Sequence, residues 1–373
     1  YQRLVLALVG IMSSLGATGI YATIFYGAEP RFSCLNELNQ TMSYNDTCLV
    51  YEQPNQTCHF DTTYYGASFV TDWMLVCDKK YLVGLPQTFY MLGAFFGLFI
   101  GYFSDKFGRK RCCIVVCFIL SVTMIGAELS QLFGLSTTLK YAIYSASQFL
   151  TGAMLNSLYS VSFILLIELT TKDYYTIVSN INLYMFVVGE LVVLPIAYLS
   201  RNWHTLLIFN AAYSVLVLVM IVVLLPESPR YLVEKRRFGE AEAIFRKIAS
   251  VNKTVSANDS EFQSFLSQQQ KNDNEDINED ESSASNVRKV DEEKTEDAIV
   301  VSNDQSAIDY VFSSKQNVLE IVALIFLSFS LCLAYYGVSL GITMVGDVNP
   351  YVIYLFSSVS EIFGYSICHL NDR

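Results

Sequence analysis

The sequence is poor in charge. Asp, Glu, Lys and Arg make up 16% of its 373 residues, against about 25% in an average soluble protein. The charge that is present leans acidic, with a formal net of −11 at pH 7, so the basic footprint of a nucleic-acid binder is missing. No G-x-x-x-x-G-K-[ST] loop occurs to cradle nucleotide phosphates, which excludes an ATP-driven motor within this chain. Histidine is scarce as well: His59, His204 and His369 stand far apart. Neither they nor the cysteines fall at metal-ligand spacing, and there is no C-x-x-C pair. No Ser/His/Asp or Cys/His arrangement marks a nucleophile. The chain does not read as an enzyme, and it calls for no metal or cofactor.

Apolar side chains fill the space left by charge. Hydrophobic residues make up 53% of the chain, and the mean hydropathy is +0.36. They do not form amphipathic stripes but uninterrupted blocks of about 20 or more, the length that the hydrocarbon core of a bilayer requires. Eight such blocks occupy residues 4–26, 82–104, 112–133, 139–169, 176–199, 205–225, 317–341 and 350–370. Each exceeds a barrel strand and lacks period-two alternation, so helices are the expected spanning elements. The first block is too long for a signal peptide and has no small-residue cleavage signature.

The connecting segments set an orientation. Between the first two blocks lie three acceptor sequons, on Asn39, Asn45 and Asn55, together with Cys34, Cys48, Cys58 and Cys77. Sequons beside an even set of cysteines point to an oxidised, glycosylated, extracellular loop over 27–81 with two disulfides. Four cysteines allow three pairings, which the sequence leaves open. Lys106, Arg109, Lys110 and Arg111 crowd the link after the second block and place it in the cytoplasm. With eight spans, both termini are then expected in the cytoplasm. The segment from Pro226 to Lys315 holds 19 acidic and 12 basic residues. It opens with an N-cap and proline at Ser228-Pro229, which predicts an amphipathic helix to about Ser250. A solvated Asn/Asp/Glu/Ser/Gln tract follows from Val251 to Gln305.

Three motifs carry a resemblance. Gly101-Tyr-Phe-Ser-Asp105-Lys106-Phe-Gly108-Arg109-Lys110 follows the second block. It resembles the G-x-x-x-D-[RK]-x-G-R-[RK] signature of the major facilitator superfamily, at the expected span and on the expected side. Asp72-Trp73-Met74-Leu75-Val76-Cys77 and Pro226-Glu227-Ser228-Pro229-Arg230-Tyr231-Leu232 are similar to segments of the organic cation/anion/zwitterion transporters of that superfamily, the solute carrier family 22 type. The resemblance implies an all-α polytopic membrane fold with about 8 of twelve spans present. Residues 1–225 would form a six-helix N-terminal half, 226–316 a cytoplasmic loop, helical and then disordered, and 317–373 the first two helices of the C-terminal half. Asn371-Asp372-Arg373 looks like the start of a second copy of the Gly-Arg signature, as expected of a chain lacking its final four spans. The resemblance also implies a gating network of Gly101, Asp105, Gly108, Arg109 and Glu168. Gln148 stands where the family usually has an arginine.

Ionisable groups inside spans are costly and usually face a cavity. Glu190 and Glu361 are the deep ones, Glu128 lies nearer the end of its block, and no lysine or arginine falls well inside any block. Such a cavity favours cationic or zwitterionic solutes. Tyr159 and Phe163, at i and i+4, and Tyr335 match cavity aromatics of the cation transporters, and aromatic faces attract cations. Asn156 and Gln87 are further candidates for orienting a polar group. The expectation is therefore a plasma-membrane carrier of small organic ions, favouring organic cations or carnitine-like zwitterions and working by alternating access. It needs no nucleic acid, and the extracellular loop offers a surface for self-association. An organic-anion carrier and a truncated, non-transporting regulatory membrane protein are the alternatives.

Overall fold

A computed structural model of the chain describes residues 2–28, 31–34, 48, 58–61, 66–170, 174–252, 315–341 and 349–371. The long helices are α1 (Gln2–Tyr26), α2 (Leu85–Gly97), α3 (Ile100–Phe107), α4 (Arg109–Leu132), α5 (Thr137–Glu168), α6 (Tyr175–Ser200) and α7 (Trp203–Leu224). They are followed by α8 (Pro229–Glu234), α9 (Phe238–Asn252), α10 (Lys315–Gly341) and α11 (Pro350–Asn371). Local chemistry fixes several boundaries. Asn202 accepts from the His204 backbone N–H at 2.9 Å and opens α7. Ser228 caps α8 through Tyr231 N–H at 3.2 Å, with proline at the first position. Arg201, at φ 47°, closes α6 in the left-handed conformation that ends many helices.

Seven helical stretches among the described residues are long and apolar enough to cross a membrane: Arg3–Tyr26, Cys77–Phe107, Arg109–Leu132, Thr137–Glu168, Tyr175–Ser200, Trp203–Leu224 and Gln316–Tyr335. The eighth apolar block is also helical, as α11, with Glu361, Ser357, Ser358, Ser360 and Ser366 lowering its hydropathy. Two elements differ from the sequence-based expectation. The second block is not one uniform helix but a 3₁₀ turn (Cys77–Val83), α2 and α3, interrupted at Leu98 and Phe99. The single helix expected after Ser228 is broken into α8 and α9, because Arg236 takes φ 57° and turns the chain. The solvated tract from Val251 to Gln305 lies outside the described residues apart from its first two positions.

Residues 1–251 and 340–373 form one compact unit and residues 252–339 another. In the first, α1 packs against α5, α6 and α7, α2 against α5, α4 against α5 and α7, and α6 against α11. Glycines let these helices touch backbone to backbone. A β-carbon at Gly93 would lie 1.9 Å from the Phe149 carbonyl oxygen, and one at Gly152 would lie 2.0 Å from that of Tyr90. Gly189 of α6 meets the Ser14 carbonyl of α1 equally closely, at 2.3 Å. Lipid offers helices no hydrophobic reward for associating, so close van der Waals approach at small residues supplies the adhesion. The outward faces remain apolar: Phe99, Val115, Phe118, Leu216, Val219 and Val223 are all exposed, as lipid-facing positions would be. In the second unit α10 is apolar around its circumference, with Phe326, Phe329, Leu331 and Leu333 exposed.

One end of the first unit carries the segment between α1 and α2. A two-stranded antiparallel sheet, β1 (Arg31–Cys34) with β2 (Cys58–Asp61), pairs Cys34 with Cys58 in register. Cys48 is bonded to Cys77. The sequons on Asn39, Asn45 and Asn55 lie outside the described residues. The segment is clipped to the α6–α7 turn: Ala67 N–H donates to the Arg201 carbonyl at 2.9 Å, and Trp203 N–H donates to the Ala67 carbonyl at 3.1 Å. Phe69, Trp73, Tyr144 and Trp203 then pack ring against ring at centroid distances of 5.4–6.1 Å. The Asp72–Cys77 segment thus anchors the loop through the Trp73 ring.

Two outcomes test this packing. Gly152→Val should abolish the folded monomer peak of the detergent-solubilised protein in gel filtration, whereas Gly126→Ala, where a β-carbon meets nothing within 4 Å, should leave it intact. Peptide mapping without reductant should return Cys48 joined to Cys77. It should also return Cys34 joined to Cys58, the remaining pair, whose α-carbons the strand register sets opposite each other.

Candidate functional site

The α3–α4 turn is held by charge. Arg109 is 7% exposed. Its guanidinium reaches Glu168, at the end of α5, at 3.0 Å and Asp105 at 2.9 Å. It also donates to the Ser104 carbonyl at 3.4 Å and lies 5.3 Å from the Tyr231 ring centre. Glu227 completes the lock from the far side, accepting from the backbone N–H of Lys110 at 3.0 Å and of Ser228 at 3.1 Å. Tyr231 donates its hydroxyl to the Lys106 carbonyl at 3.2 Å. Gly108 is required here: its φ is 105°, and a β-carbon would meet Glu227 Oε2 at 2.6 Å. Gly101, by contrast, faces open space, so the close helix approach that its motif position suggests is not present among the described residues. The arrangement ties α3, α4, α5 and α8 into one block. Sequence reasoning had paired Arg109 with Glu168 but had not seen the docking of Glu227 and Tyr231, which depends on where α8 turns back.

At the opposite, disulfide-bearing end His204 lies between two carboxylates, 3.2 Å from Glu128 and 3.4 Å from Asp72. Trp203 Nε1 also donates to Asp72, at 2.8 Å. Burial pushes the Asp72 carboxyl up, but the hydrogen bonds from His204 and Trp203 outweigh it and hold the group below the usual carboxylate range. Beside this clasp a cavity of about 140 Å³ is lined by Thr23, Phe69, Pro86, Gln87, Tyr144 and Gln148, among others. Gln148 donates to the Tyr144 hydroxyl at 2.7 Å, while Gln87 Nε2 is buried without a hydrogen-bond partner. Gln148 therefore sits far along α5 from Arg109, twenty residues before Glu168, and takes no part in that network.

The deep carboxylates come together elsewhere. Glu190 of α6 is 1% exposed, and the groups around its carboxyl are Glu361, Ser358 and Tyr21. Tyr354 donates its hydroxyl to the Glu190 carbonyl at 3.2 Å, and Tyr365 donates to Glu361 Oε2 at 3.4 Å. Tyr354, Ser358, Glu361 and Tyr365 fall at i, i+4, i+7 and i+11, one face of α11. Rings extend the site: Tyr21 contacts Tyr354 at 5.8 Å and Phe186 at 6.3 Å, and Phe186 contacts Tyr159 at 5.9 Å.

The sequence-derived substrate residues are thus only partly assembled. Glu190, Glu361 and Tyr159 fall in or beside one group. Phe163 is half-buried one turn further along α5. Asn156 spends its amide on the Gly152 carbonyl at 2.9 Å. Gln87 lines the separate cavity, and Tyr335 belongs to α10 in the second unit. Tyr21, Phe186 and Tyr354 were missed. The seven-residue spacing from Tyr354 to Glu361 was a readable signal, but nothing in the sequence placed Tyr21 or Phe186 against them.

A bundle of long apolar helices, with buried charges at both ends and deep carboxylates between, is that of a multi-pass membrane protein. The sugar (and other) transporter family model matches residues 37–341, and the chain belongs to that family, within the major facilitator superfamily. Among curated relatives, "Organic cation/carnitine transporter 4" of Arabidopsis thaliana is 29% identical over 61% of this chain and 41% of its own length. "Solute carrier family 22 member 4" of Mus musculus and "Organic cation/carnitine transporter 2" of Homo sapiens are each 33% identical over 52% of this chain and 34% of their own lengths. The chain therefore spans less than half the length of these relatives. Among solved structures, the xylose transporter XylE from E. coli aligns with a TM-score of 0.48 and 16% identity over 72% of this chain and 60% of that one.

Breaking the Arg109–Glu168 pair from one side leaves a buried charge without its partner, which costs about 3–5 kcal/mol. Arg109→Ala should therefore lower the melting temperature of the purified protein markedly, and Arg109→Ala with Glu168→Ala should recover part of the loss. For Asp72 the lowered carboxyl means that its contribution is complete above the unfolded range, about pH 4, and is lost as the pH falls through the depressed value. Wild-type melting should accordingly lose the Asp72 contribution only below about pH 4, whereas Asp72→Asn should melt lower already at pH 7.

Proposed function

We propose that the chain forms part of a carrier for small organic cations or carnitine-like zwitterions that works by alternating access. The observation that carries this reading is the convergence of Glu190 and Glu361 on helices that contain no lysine or arginine. Negative charge deep in a bilayer draws positive charge, and aromatic faces such as Tyr21, Tyr159 and Tyr354 add cation–π attraction. The printed names of the relatives, organic cation/carnitine transporters, point the same way. Substrate would bind near the midplane, where half-domains of such carriers meet. A single cation crossing down the membrane potential gains about 2.3 kcal/mol per 100 mV.

The rest of the molecule takes supporting roles in this reading. The Arg109–Glu168–Asp105 cluster, with Gly108, acts as the gating latch. The plasma membrane is the proposed location, with the disulfide-bearing end outside, the Arg109 end and both termini in the cytoplasm, and glycans on Asn39, Asn45 and Asn55. The segment 226–316 would then be the cytoplasmic loop between two half-domains of a longer protein, and the external loop a surface for self-association.

The test is uptake of a labelled organic cation by cells expressing the full-length protein. Uptake should be saturable, and Glu361→Gln should reduce it by tenfold or more, about the worth of one buried charge interaction. Unchanged uptake in that variant, at equal surface expression, would remove Glu361 from the site.

A further inference from the structure

Two stretches far apart in sequence bring positive charge to the Arg109 end of the first unit. Residues 105–111 and 227–237 hold eight basic and three acidic residues. Part of that charge is spent inside the protein, Arg109 on Asp105 and Glu168, and Arg237 on Glu240. Lys106, Lys110, Arg111, Arg230 and Lys235 are not spent in this way. None of the five is buried, and none forms an ion pair with a described residue. On the acidic side Asp105 faces Arg109, and Glu227 accepts from two backbone N–H groups, which leaves Glu234.

The fold sets these cations side by side. The Tyr231 hydroxyl donates to the Lys106 carbonyl at 3.2 Å, and the Lys235 ammonium lies 5.9 Å from the centre of the same ring. Glu227, three residues before Arg230, holds the Lys110 backbone N–H at 3.0 Å. The α3–α4 turn and α8 therefore present one cationic surface. Phe103 and Phe107 mark its depth: both rings are exposed and stack at 6.4 Å, and the Lys106 ammonium lies 5.7 Å from the Phe107 ring centre. Exposed rings beside long cationic side chains are the composition of the boundary between hydrocarbon and headgroups.

We infer that this surface binds the headgroup of an anionic phospholipid, which bridges α8 and the α3–α4 turn. The inference goes beyond the carrier reading and does not depend on it. Arginine pairs with phosphate oxygens through its forked N–H groups, and lysine adds point charge. A zwitterionic headgroup brings its own ammonium, which the surface repels, so the discrimination is by net charge. Each basic residue near an anionic bilayer surface contributes separately to the attraction. A free phosphate meets the same cations but has no acyl chain to lay against Phe103 and Phe107, so the lipid is the better ligand. A lipid held from both sides also reinforces the hydrogen bonds of Glu227 and Tyr231 that dock α8.

The test titrates the full-length protein in detergent with dioctanoyl phosphatidylserine, with dioctanoyl phosphatidylcholine and with inorganic phosphate, reading affinity from the rise in melting temperature. Wild type should bind phosphatidylserine about tenfold or more tightly than phosphatidylcholine, and the preference should shrink at high salt. Arg111→Gln, Arg230→Gln and Lys235→Gln together should bring the two lipids within about twofold. Should that triple variant fail to fold, Arg230→Gln with Lys235→Gln leaves the α3–α4 turn untouched, and the preference should fall in the same direction. Lys79→Gln with Lys140→Gln, at the opposite end, should leave it unchanged. Equal affinities for the two lipids in wild type, or a preference that survives both sets of substitutions at the Arg109 end, would overturn the inference. So would inorganic phosphate that stabilises wild type as well as phosphatidylserine does at the same concentration, because the ligand would then be the free anion.

Discussion

A carboxylate inside a bilayer has to be matched, because the hydrocarbon offers neither water nor counterions. Among the described residues three places bury one, and each meets the requirement differently. Glu168 meets it with Arg109, at 3.0 Å and with both side chains almost sealed from solvent. Glu128 meets it with His204, at 3.2 Å near the disulfide-bearing end. Glu190 faces Glu361, another acid, with tyrosine and serine hydroxyls around the pair. The first two loci are closed by a basic side chain of the same chain. The third sets acid beside acid, and the functional argument turns on that difference.

The closed loci sit where they hold helices together. Arg109 joins the α3–α4 turn to the end of α5, and Glu227 and Tyr231 fasten α8 onto the same turn. At the other end Asp72, His204 and Glu128 tie the loop segment to α4 and α7. Between the two ends, backbone contacts at Gly93, Gly152 and Gly189 keep α2 against α5 and α6 against α1. Such contacts leave little room for side chains to rearrange, so motion in this half is expected as movement of the block, in keeping with rocking of rigid half-domains. The acid–acid locus lies on the face of the block where α11 meets α6.

Much of this was legible in the sequence, for identifiable reasons. Apolar blocks reveal helices because length and hydropathy are local properties, and α4 to α7 fall close to their expected bounds. Glu168 and Arg109 could be paired through the resemblance to a known signature. Details set by tertiary contact were not legible. The interruption at Leu98 and Phe99 sits within an apolar run that gives no warning, and the turn at Arg236 depends on a backbone angle that arginine seldom adopts. Gln87 read as a substrate residue because it is a polar group in a span, yet it lies beside Gln148 at a cavity on the far side of the clasp. Tyr21 and Phe186 look like any other ring among 25 tyrosines and 25 phenylalanines, and only the packing of α1 on α6 brings them to Glu190.

The central claim is that unbalanced negative charge deep in the bundle makes this a carrier of cations. The most direct measurement compares uptake of an organic cation with that of an organic anion of the same size and skeleton, in cells expressing the full-length protein and with the membrane potential clamped. The account predicts saturable entry of the cation that increases as the cell interior is made more negative, with the anion excluded. Saturable entry of the anion, with the cation excluded, would contradict it.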